Sequence, residues 1–559
     1  MEGARMYNIL IGGAAGQGIE TTAAILEKLL KKSGYHVFTV RDFMSRVRGG
    51  HNFTLIRFGT EAVQSHSYRL DGMIALNNET FELHRDQVGD NGFILCDTKI
   101  TAEDTKAIKL DMDAMAQGLG NPRVSGSIAV GAVLRLFSDS TEHCGDVLRS
   151  FVKEADLDVN LKAIMKGYNS VHAMFPRIEG HFEDSMILSG SKAMVLGAIA
   201  AGLRFYSAYP MSPSTTLMEH LADKGEEAGI VVEQAEDEIA AINMAIGASF
   251  AGARAMTGTS GGGFSLMVEA LGLSGMAEIP LVVVDVQRPG PVTGLPTRTE
   301  QSDLSFVITA SQGEFPRMVI SVRHHEDAFF QTIRAFDLAE KYQIPVILLS
   351  DQYLADASAT VMPFDLSHIS VAEPASGTDI EGEYLRYRYT GDGISPRLIP
   401  GKSNHFVPAD SDEHDELGRI TEAADVRIRM MDKRMKKLEN LSAELQEPDF
   451  IGTKKYDTLL IGWGSTYGPI TEAIRLLNER EPGKYAALIF GDIYPLPTKL
   501  LLQKSVSAAR IINVEQNATG QLAGLIRQYT GIACTSSILK YDGRQISGEE
   551  IADKLAGEA

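Results

Sequence analysis

Short apolar runs punctuate the chain: YNILIGG from Tyr7, GYHVFTV from Gly34, GFILCD from Gly92, IPLVVVDV from Ile279, IPVILLS from Ile344 and DTLLIGWG from Asp457. Amphipathic stretches of helical length separate them. That alternation is the pattern of βαβ units and predicts an α/β fold with several parallel-sheet domains. The runs group into blocks at residues 6–175, 186–365 and 454–559. Segment 366–450, between the second and third, holds a Gly-, Asp-, Pro- and Ser-rich stretch and then a charged helical run ending KKLENLSAEL. Tyr384, Tyr387, Tyr389, Ile394, Leu398 and Phe406 give it side chains to dock with, so an ordered arm is expected rather than a disordered linker.

Composition removes several function classes. The 559 residues carry 53 Lys and Arg against 73 Asp and Glu, a net charge of −20, which suits no nucleic acid phosphate backbone. The three cysteines, Cys96, Cys144 and Cys534, form no CxxC pair. They cannot build a disulfide scaffold, a Cys-based zinc site or a self-contained iron–sulfur cluster. The start MEGARMYNILIGG lacks a secretory pattern, and the apolar stretch Ala193–Leu203 is too short to span a bilayer. A soluble, cytoplasmic protein without membrane or nucleic-acid partners is the expectation.

The densest chemistry lies between Ile230 and Pro280. The run GIVVEQ leads to Glu236, Asp237 and Glu238 at a helix N-terminus, where the dipole favours negative charge. A small-residue helix follows, then the strand RAMTG and the turn Thr259-Ser260-Gly261-Gly262-Gly263. A glycine turn between strand and helix lets backbone N–H groups approach a ligand. Gly258 to Gly262 also satisfies G-x-S-x-G, the pattern of a serine nucleophile on a tight elbow. Asp351 with His368 or His405 would complete that triad in name only. A purely structural turn is the third reading. For Glu238 the plain reading is a helix N-terminal charge like its two neighbours.

Glu238, Gly247, the TSGGG turn and IPLVVVDVQR together resemble the pyrimidine-binding domain of thiamine diphosphate enzymes. In that family the matching carboxylate, here Glu238, is bonded to the aminopyrimidine and works only when desolvated. The segment Tyr209-Pro210-Met211-Ser212-Pro213-Ser214-Thr215 resembles the YPITPST segment of the 2-oxoacid:ferredoxin oxidoreductases, with Met and Ser replacing Ile and Thr. The segment Gly294 to Gln301 resembles the GLPTRTEQ of their 2-oxoglutarate-type members. By this resemblance Arg288 matches the position that holds the 2-oxoacid carboxylate. Arg298 would add a second cation for a dicarboxylate such as 2-oxoglutarate. The implied cofactor contacts are Tyr209, Pro210, Ser212, Glu238, Thr259, Ser260, Gly261 and Gly262.

The resemblance extends to the flanking blocks. IGGAAGQG, with Gly13, Gly16 and Gly18, and the RGGH segment from Arg48 resemble the gamma subunit of these enzymes. Arg41, Arg46, Arg48 and His51 would there meet coenzyme A phosphates, with a docking surface or a simple turn as the other readings. The third block resembles a transketolase C-terminal-like domain.

A fused gamma–alpha subunit is therefore implied, spanning residues 6 to 550. Its reaction would be oxidative decarboxylation of a 2-oxoacid to acyl-CoA and CO2, with electrons passed to ferredoxin. The pyrophosphate half-site is missing. Gly391-Asp392-Gly393 has no Asn at the required distance, and Gly491-Asp492-Ile493 with Asn517 carries a branched residue where a small one is needed. No metal site is expected in this chain. Mg2+ and a [4Fe–4S] cluster would come from a beta subunit, in a dimer of alpha–beta units. Pyruvate or a branched-chain 2-oxoacid remains an alternative substrate. A stand-alone thiamine diphosphate lyase, a serine hydrolase on the GTSGG turn and a non-catalytic scaffold are alternatives of other classes. The acidic run Asp410–Glu416 lacks the loop glycine of a calcium site and reads as a solvated turn.

Overall fold

The structure, a computed structural model, describes residues 5–43, 49–371, 380 and 382–557. The chain divides into two compact units, Met1–Leu188 with Asp356–Phe364, and Ser189–Ala355 with Asp365–Ala559. Among the described residues no helix is long and apolar enough to cross a membrane.

The first unit is built on one eight-stranded sheet. Its central strand Met6–Ala15 pairs parallel with Leu70–Ala75 and antiparallel with Gly49–Gly59. The sheet is therefore mixed, where the apolar runs alone suggested a parallel one. The reason is local. His36–Phe43 and Gly49–Gly59 succeed each other too closely for a crossover helix, so they pair antiparallel, His36 opposite Gly59 and Phe43 opposite Asn52. The late strand Ser358–Val361 also joins this sheet, Thr360 Oγ1 donating to Val37 O at 3.1 Å and accepting from Val37 N at 2.7 Å. On one face the helices Ser125–Leu136 and Glu154–Tyr168 touch backbone to backbone. A Cβ at Gly131 would collide with Ile164 O, and one at Gly167 with Ile128 O.

The second unit carries two sheets. The seven-stranded sheet runs in the order Asp492–Tyr494, Met318–Ser321, Pro345–Asp351, Leu281–Gln287, Ala255–Thr259, Phe205–Ala208, Val231–Gln234. It is parallel except at its first pair. Its middle strands are buried on both faces, hence the unbroken apolar runs. The five-stranded sheet has Thr458–Trp463 at its centre and one antiparallel edge, Asp449–Gly452. Val283, Ile347 and Leu349 of the larger sheet belong to one apolar core with Ile461, Trp463 and Phe490 of the smaller.

The arm docks through buried charge. Glu278, fully buried, forms ion pairs with Lys433 and, at 2.6 Å, with Lys437, both on the helix Ala424–Leu441. Arg386 donates to the Glu278 carbonyl at 2.7 Å and to Gln343 Oε1 at 2.9 Å. These cations hold the Glu278 carboxyl far below the usual carboxylate range against the opposing effect of burial. Tyr384, Tyr387 and Leu398 are buried as their apolar character suggested, whereas Phe406 is 85% exposed among the described residues.

Replacing Glu278 by Gln would leave two lysines unpaired in a dry site, and removing one partner of a buried ion pair costs about 3–5 kcal/mol. Thermal unfolding of E278Q should show a midpoint lowered by several degrees. An unchanged midpoint would mean that the arm is held by apolar packing alone.

Candidate functional site

Four parallel strands of the middle segment lead at their C-terminal ends into candidate residues, where such sheets bind ligands. Phe205–Ala208 delivers Tyr209 to Ser212, Val231–Gln234 leads to Glu238, Ala255–Thr259 to Ser260, and Leu281–Gln287 to Arg288.

Glu238 opens the helix Glu238–Phe250, whose N-cap Asp237 accepts from Ala240 N at 2.7 Å. Three consecutive carboxylates stand here, yet the structure treats them differently. Glu236 and Asp237 are exposed, whereas Glu238 is 4% exposed and its Oε1 has no hydrogen-bond partner. A buried carboxylate oxygen left unpaired is costly, so it marks a place for a donor that is not part of the chain. Gly263 makes room for it. A Cβ there would stand 2.6 Å from Glu238 Oε1 and closer still to Thr259 Oγ1. Thr259 and Ser260 are fully buried, and Ser260 Oγ is likewise unpaired. Gly261 and Gly262 begin the helix Gly261–Met276 and are partly exposed. The structure thus brings Glu238 and Thr259 together at Gly263, with Ser260, Gly261 and Gly262 in the adjoining strand-to-helix turn. An unpaired buried carboxylate oxygen suits a group that brings an N–H donor, as the aminopyrimidine of thiamine diphosphate does.

A second group lies around Arg288, which is 9% exposed and donates through Nη1 to Ser212 O at 2.6 Å. Ser212 itself is exposed, as is Tyr209, and Pro210 is partly so. Ser214 Oγ donates to Met211 O at 2.7 Å, fixing the turn that carries them. After Arg288 the chain makes a tight loop. Gly294 at φ +54° packs against the Pro289 carbonyl, and Val292, at φ +59° and 86% exposed, is a β-branched residue in the left-handed region. Arg298 is half-buried and lies with Cβ and Cγ against Gly543, in the loop after the five-stranded sheet. The segment beyond it is clamped by that sheet. Gln301 Nε2 donates to Trp463 O at 2.8 Å, and Asn517 Nδ2 donates to Gln301 O at 3.0 Å.

The sequence reading passed over two carboxylates here. Asp285, next to last in IPLVVVDV, is fully buried with both oxygens unpaired, and Asp303 lies against Gly261. An acid inside an otherwise apolar strand was the visible signal for the first. Burial pushes both carboxyls above the usual range. It also pushes Glu300 up to about 7, with the charges of Asp303 and Asp542 adding to the effect.

The other motifs are accounted for by internal bonds. Asp492 is held by Arg334 at 2.6 and 2.7 Å and by Gln446 N at 2.7 Å, and Asn517 serves Gln301 and Glu515. Asp392 accepts from Ile394 N at 3.0 Å in a turn. In the acidic run, Glu413 is gripped by Arg427 and Arg434. Among the described residues no base is hydrogen-bonded to Ser260, while His405 Nε2 faces Ile380 O at 3.1 Å, so the elbow reading has no geometric support.

In the first unit Gly16 and Gly18 both take left-handed φ, +94° and +79°, and Gly18 caps the helix Ile19–Lys32. Gly13 backs onto Leu76 and Gln17. A cavity of about 300 Å³ opens beside this turn, lined by Gly16, Gly18, Thr21, Phe43, Asn52 and Thr54 among others. Arg41 is bound to Ser358 Oγ at 3.0 Å and pairs with Glu27, and His51 meets His84 ring to ring at 2.8 Å. Arg46 and Arg48 lie outside the described residues.

Two family models match. One described as "Pyruvate flavodoxin/ferredoxin oxidoreductase, thiamine diP-bdg" covers residues 196–433, and one described as "Pyruvate ferredoxin/flavodoxin oxidoreductase" covers residues 8–170. The 2-oxoacid:ferredoxin oxidoreductase subunit alpha of Sulfolobus sp is 33% identical over 98% of this chain and 96% of its own length. The 2-oxoglutarate synthase subunit KorA of Methanothermobacter marburgensis is 31% identical over 67% of this chain and 99% of its own. The structure of a 2-oxoglutarate:ferredoxin oxidoreductase from Magnetococcus marinus with 2-oxoglutarate, coenzyme A and succinyl-CoA bound superposes with a TM-score of 0.94. It is 31% identical, and the match covers 99% of both chains.

Asp351, at the end of the strand Pro345–Asp351, is buried and its carboxyl is pushed up to about 6, Leu354 N opposing the shift from 3.0 Å. The fold therefore favours its protonated form. Stability should fall as pH climbs from about 4 to about 6 and level off above, because the unfolded carboxyl ionises first. Asp351→Asn keeps the acceptor and cannot ionise, so urea unfolding of D351N across this range should show a smaller fall. A slope equal to that of the wild type would assign the effect to other groups.

Proposed function

The chain belongs to the 2-oxoacid:ferredoxin oxidoreductase family, matched end to end by its alpha subunits. From that premise we propose that it is a gamma-fused alpha subunit acting on 2-oxoglutarate, which it converts with a beta subunit to acyl-CoA and CO2, ferredoxin taking the electrons. The observation that carries this is the buried, unpaired Glu238 oxygen beside Gly263 and Thr259.

Thiamine diphosphate supplies the nucleophilic carbon and the electron sink that decarboxylation of a 2-oxoacid needs. Glu238 Oε1 would accept from its pyrimidine ring and hold a proton at that nitrogen. Thr259, Ser260, Gly261 and Gly262 would face the ring with backbone and small side chains, and Tyr209 and Pro210 would wall the cleft. Arg288 spends one Nη1 contact on Ser212 O and keeps its other N–H groups for the substrate carboxylate. Arg298 is the candidate for the second carboxylate of 2-oxoglutarate. In the first unit the turn of Gly13, Gly16 and Gly18, with Arg48, is proposed for coenzyme A.

The same reading extends to the partners. Asp492 and Asp392 are engaged by their own chain, which leaves Mg2+ and the pyrophosphate to a beta subunit. The three separated cysteines leave the [4Fe–4S] cluster to it as well. A cytoplasmic dimer of alpha–beta units is the assembly proposed.

Glu238→Gln keeps the shape and removes the acceptor charge. Co-expressed with the beta chain and assayed for 2-oxoglutarate- and coenzyme A-dependent viologen reduction, E238Q should lose about 10²-fold or more of the turnover while retaining wild-type circular dichroism. Undiminished turnover would sink the assignment.

Arg298→Ala should raise KM for 2-oxoglutarate by about tenfold or more, the scale of a lost charge-assisted hydrogen bond, and leave pyruvate nearly unaffected. Equal effects on both substrates, or none on either, would remove Arg298 from dicarboxylate recognition.

A further inference from the structure

We propose that Gln301 and Gly543 decide which 2-oxoacid is accepted, as positioning residues that seat the Arg298 segment on the smaller sheet. The inference deepens the proposed 2-oxoacid site and rests on Arg298 as the contact for a second carboxylate.

Burial alternates along residues 298–301. Thr299 and Gln301 are buried, whereas Arg298 and Glu300 are half-buried. The two buried residues anchor the segment, and every polar group of Gln301 is engaged. Its N–H donates to Gln516 O at 2.7 Å, and its carbonyl accepts from Asn517 Nδ2 at 3.0 Å. Its side-chain Nε2 donates to Trp463 O at 2.8 Å, and Oε1 accepts from Gln516 N at 3.2 Å. Trp463 ends one strand of the smaller sheet, and Gln516 follows the parallel neighbour Arg510–Glu515. One side-chain amide thus bridges the carboxyl ends of two adjacent strands, supplying donor and acceptor on one planar group. Gly464 leaves it room, since a Cβ there would stand 3.1 Å from Gln301 Nε2. Thr299 adds a second anchor. Its N–H donates to Gly543 O at 3.2 Å, and its Oγ1 accepts from Tyr353 N at 3.2 Å.

Gly543 meets Arg298 directly. It holds φ +77°, and a Cβ there would stand 3.1 Å from Arg298 Cβ and 3.0 Å from Leu295 Cδ1. The arginine stem therefore lies on bare backbone, in a left-handed conformation that glycine adopts without strain. The consequence is selective. Arg288 follows a strand of the larger sheet, while Arg298 takes its position from the smaller one. A monocarboxylic 2-oxoacid needs one guanidinium. A dicarboxylic one must reach both at once, and paired charge-assisted hydrogen bonds tolerate little misplacement. Only the dicarboxylate feels the placement of the Arg298 segment, so Gln301 and Gly543 set discrimination between the two classes rather than turnover.

In the test, the complex with the beta chain is assayed for KM and kcat with 2-oxoglutarate and with pyruvate. Gln301→Glu keeps the shape, but an ionised carboxylate has no donor for Trp463 O. Gly543→Ala adds one methyl group against Arg298. Each variant should raise KM for 2-oxoglutarate about tenfold, and more than it raises KM for pyruvate, with kcat little changed. A residue that merely supports the fold would depress both substrates alike. Because Gln301 acts through Arg298, the double variant Gln301→Glu, Arg298→Ala should be no worse than Arg298→Ala alone. Hydrogen exchange in the full chain without its partner gives a readout free of turnover. In Gln301→Glu the Thr299 and Gln301 amides should exchange faster while the strand Leu281–Gln287 stays protected. Should Gln301→Glu not fold, Gly543→Ala carries the kinetic and double-variant arms. Equal effects on both substrates, additive effects in the double variant, or unchanged exchange overturn the inference and leave the 2-oxoacid reading standing. A silent Arg298→Ala overturns the dicarboxylate reading, and this inference with it.

Discussion

A carboxylate stripped of water and left with an unpaired oxygen is the constraint around which the second unit is arranged. Burying an ionisable acid without a partner costs several kcal/mol, and folding gives nothing back for it within the chain. The fold tolerates Glu238 in that state because its surroundings are over-determined. The helix start is fixed by the Asp237 cap, the facing wall is Gly263, and the strand below is buried on both sides. The same logic governs Asp285 and Asp303 one strand further on. Both sets lie at the carboxyl ends of parallel strands. The strands are short and rigid there, and the turns that follow can be given over to glycine.

The loop from Arg288 to Asp303 shows how the second sheet contributes to a site it does not line. The loop leaves the larger sheet, carries both arginines and two perturbed acids, and is then tied down by Gln301 to Trp463 and Gln516. Without those bonds a segment rich in proline and glycine would not hold Arg298 or Asp303 in place. The smaller sheet therefore acts as a positioning element. Its burial in one apolar core with the larger sheet is what lets it do so.

The legibility of these features in the sequence follows their range. Local patterns were readable. The apolar runs became strands, the TSGGG turn became a strand-to-helix turn, and the Tyr209–Thr215 segment lies at a strand end. Features set by long-range packing were not. Spacing could not distinguish Glu238 from Glu236 and Asp237, because the wall that buries it stands some 25 residues later in the chain, at Gly263. The mixed pairing of the first sheet was missed because apolar runs do not encode strand direction. Phe406 was expected to dock and is exposed, since an aromatic in a polar stretch carries no record of whether a groove awaits it. Asp303 stood in plain view within the TRTEQSD segment, but nothing local says that it lies on Gly261.

The arm makes the opposite use of buried charge. Glu278 is as buried as Asp285, yet it is surrounded by Lys433, Lys437 and Arg386, and its carboxyl is held far below the usual range where that of Asp285 is raised. One chain thus carries two kinds of buried acid. Where cations meet the acid the charge is neutralised and the contact holds two segments together. Where they do not, the acid keeps a proton or waits for a donor from outside. This difference in partners, read residue by residue, separates the scaffold of the second unit from its site more sharply than burial alone.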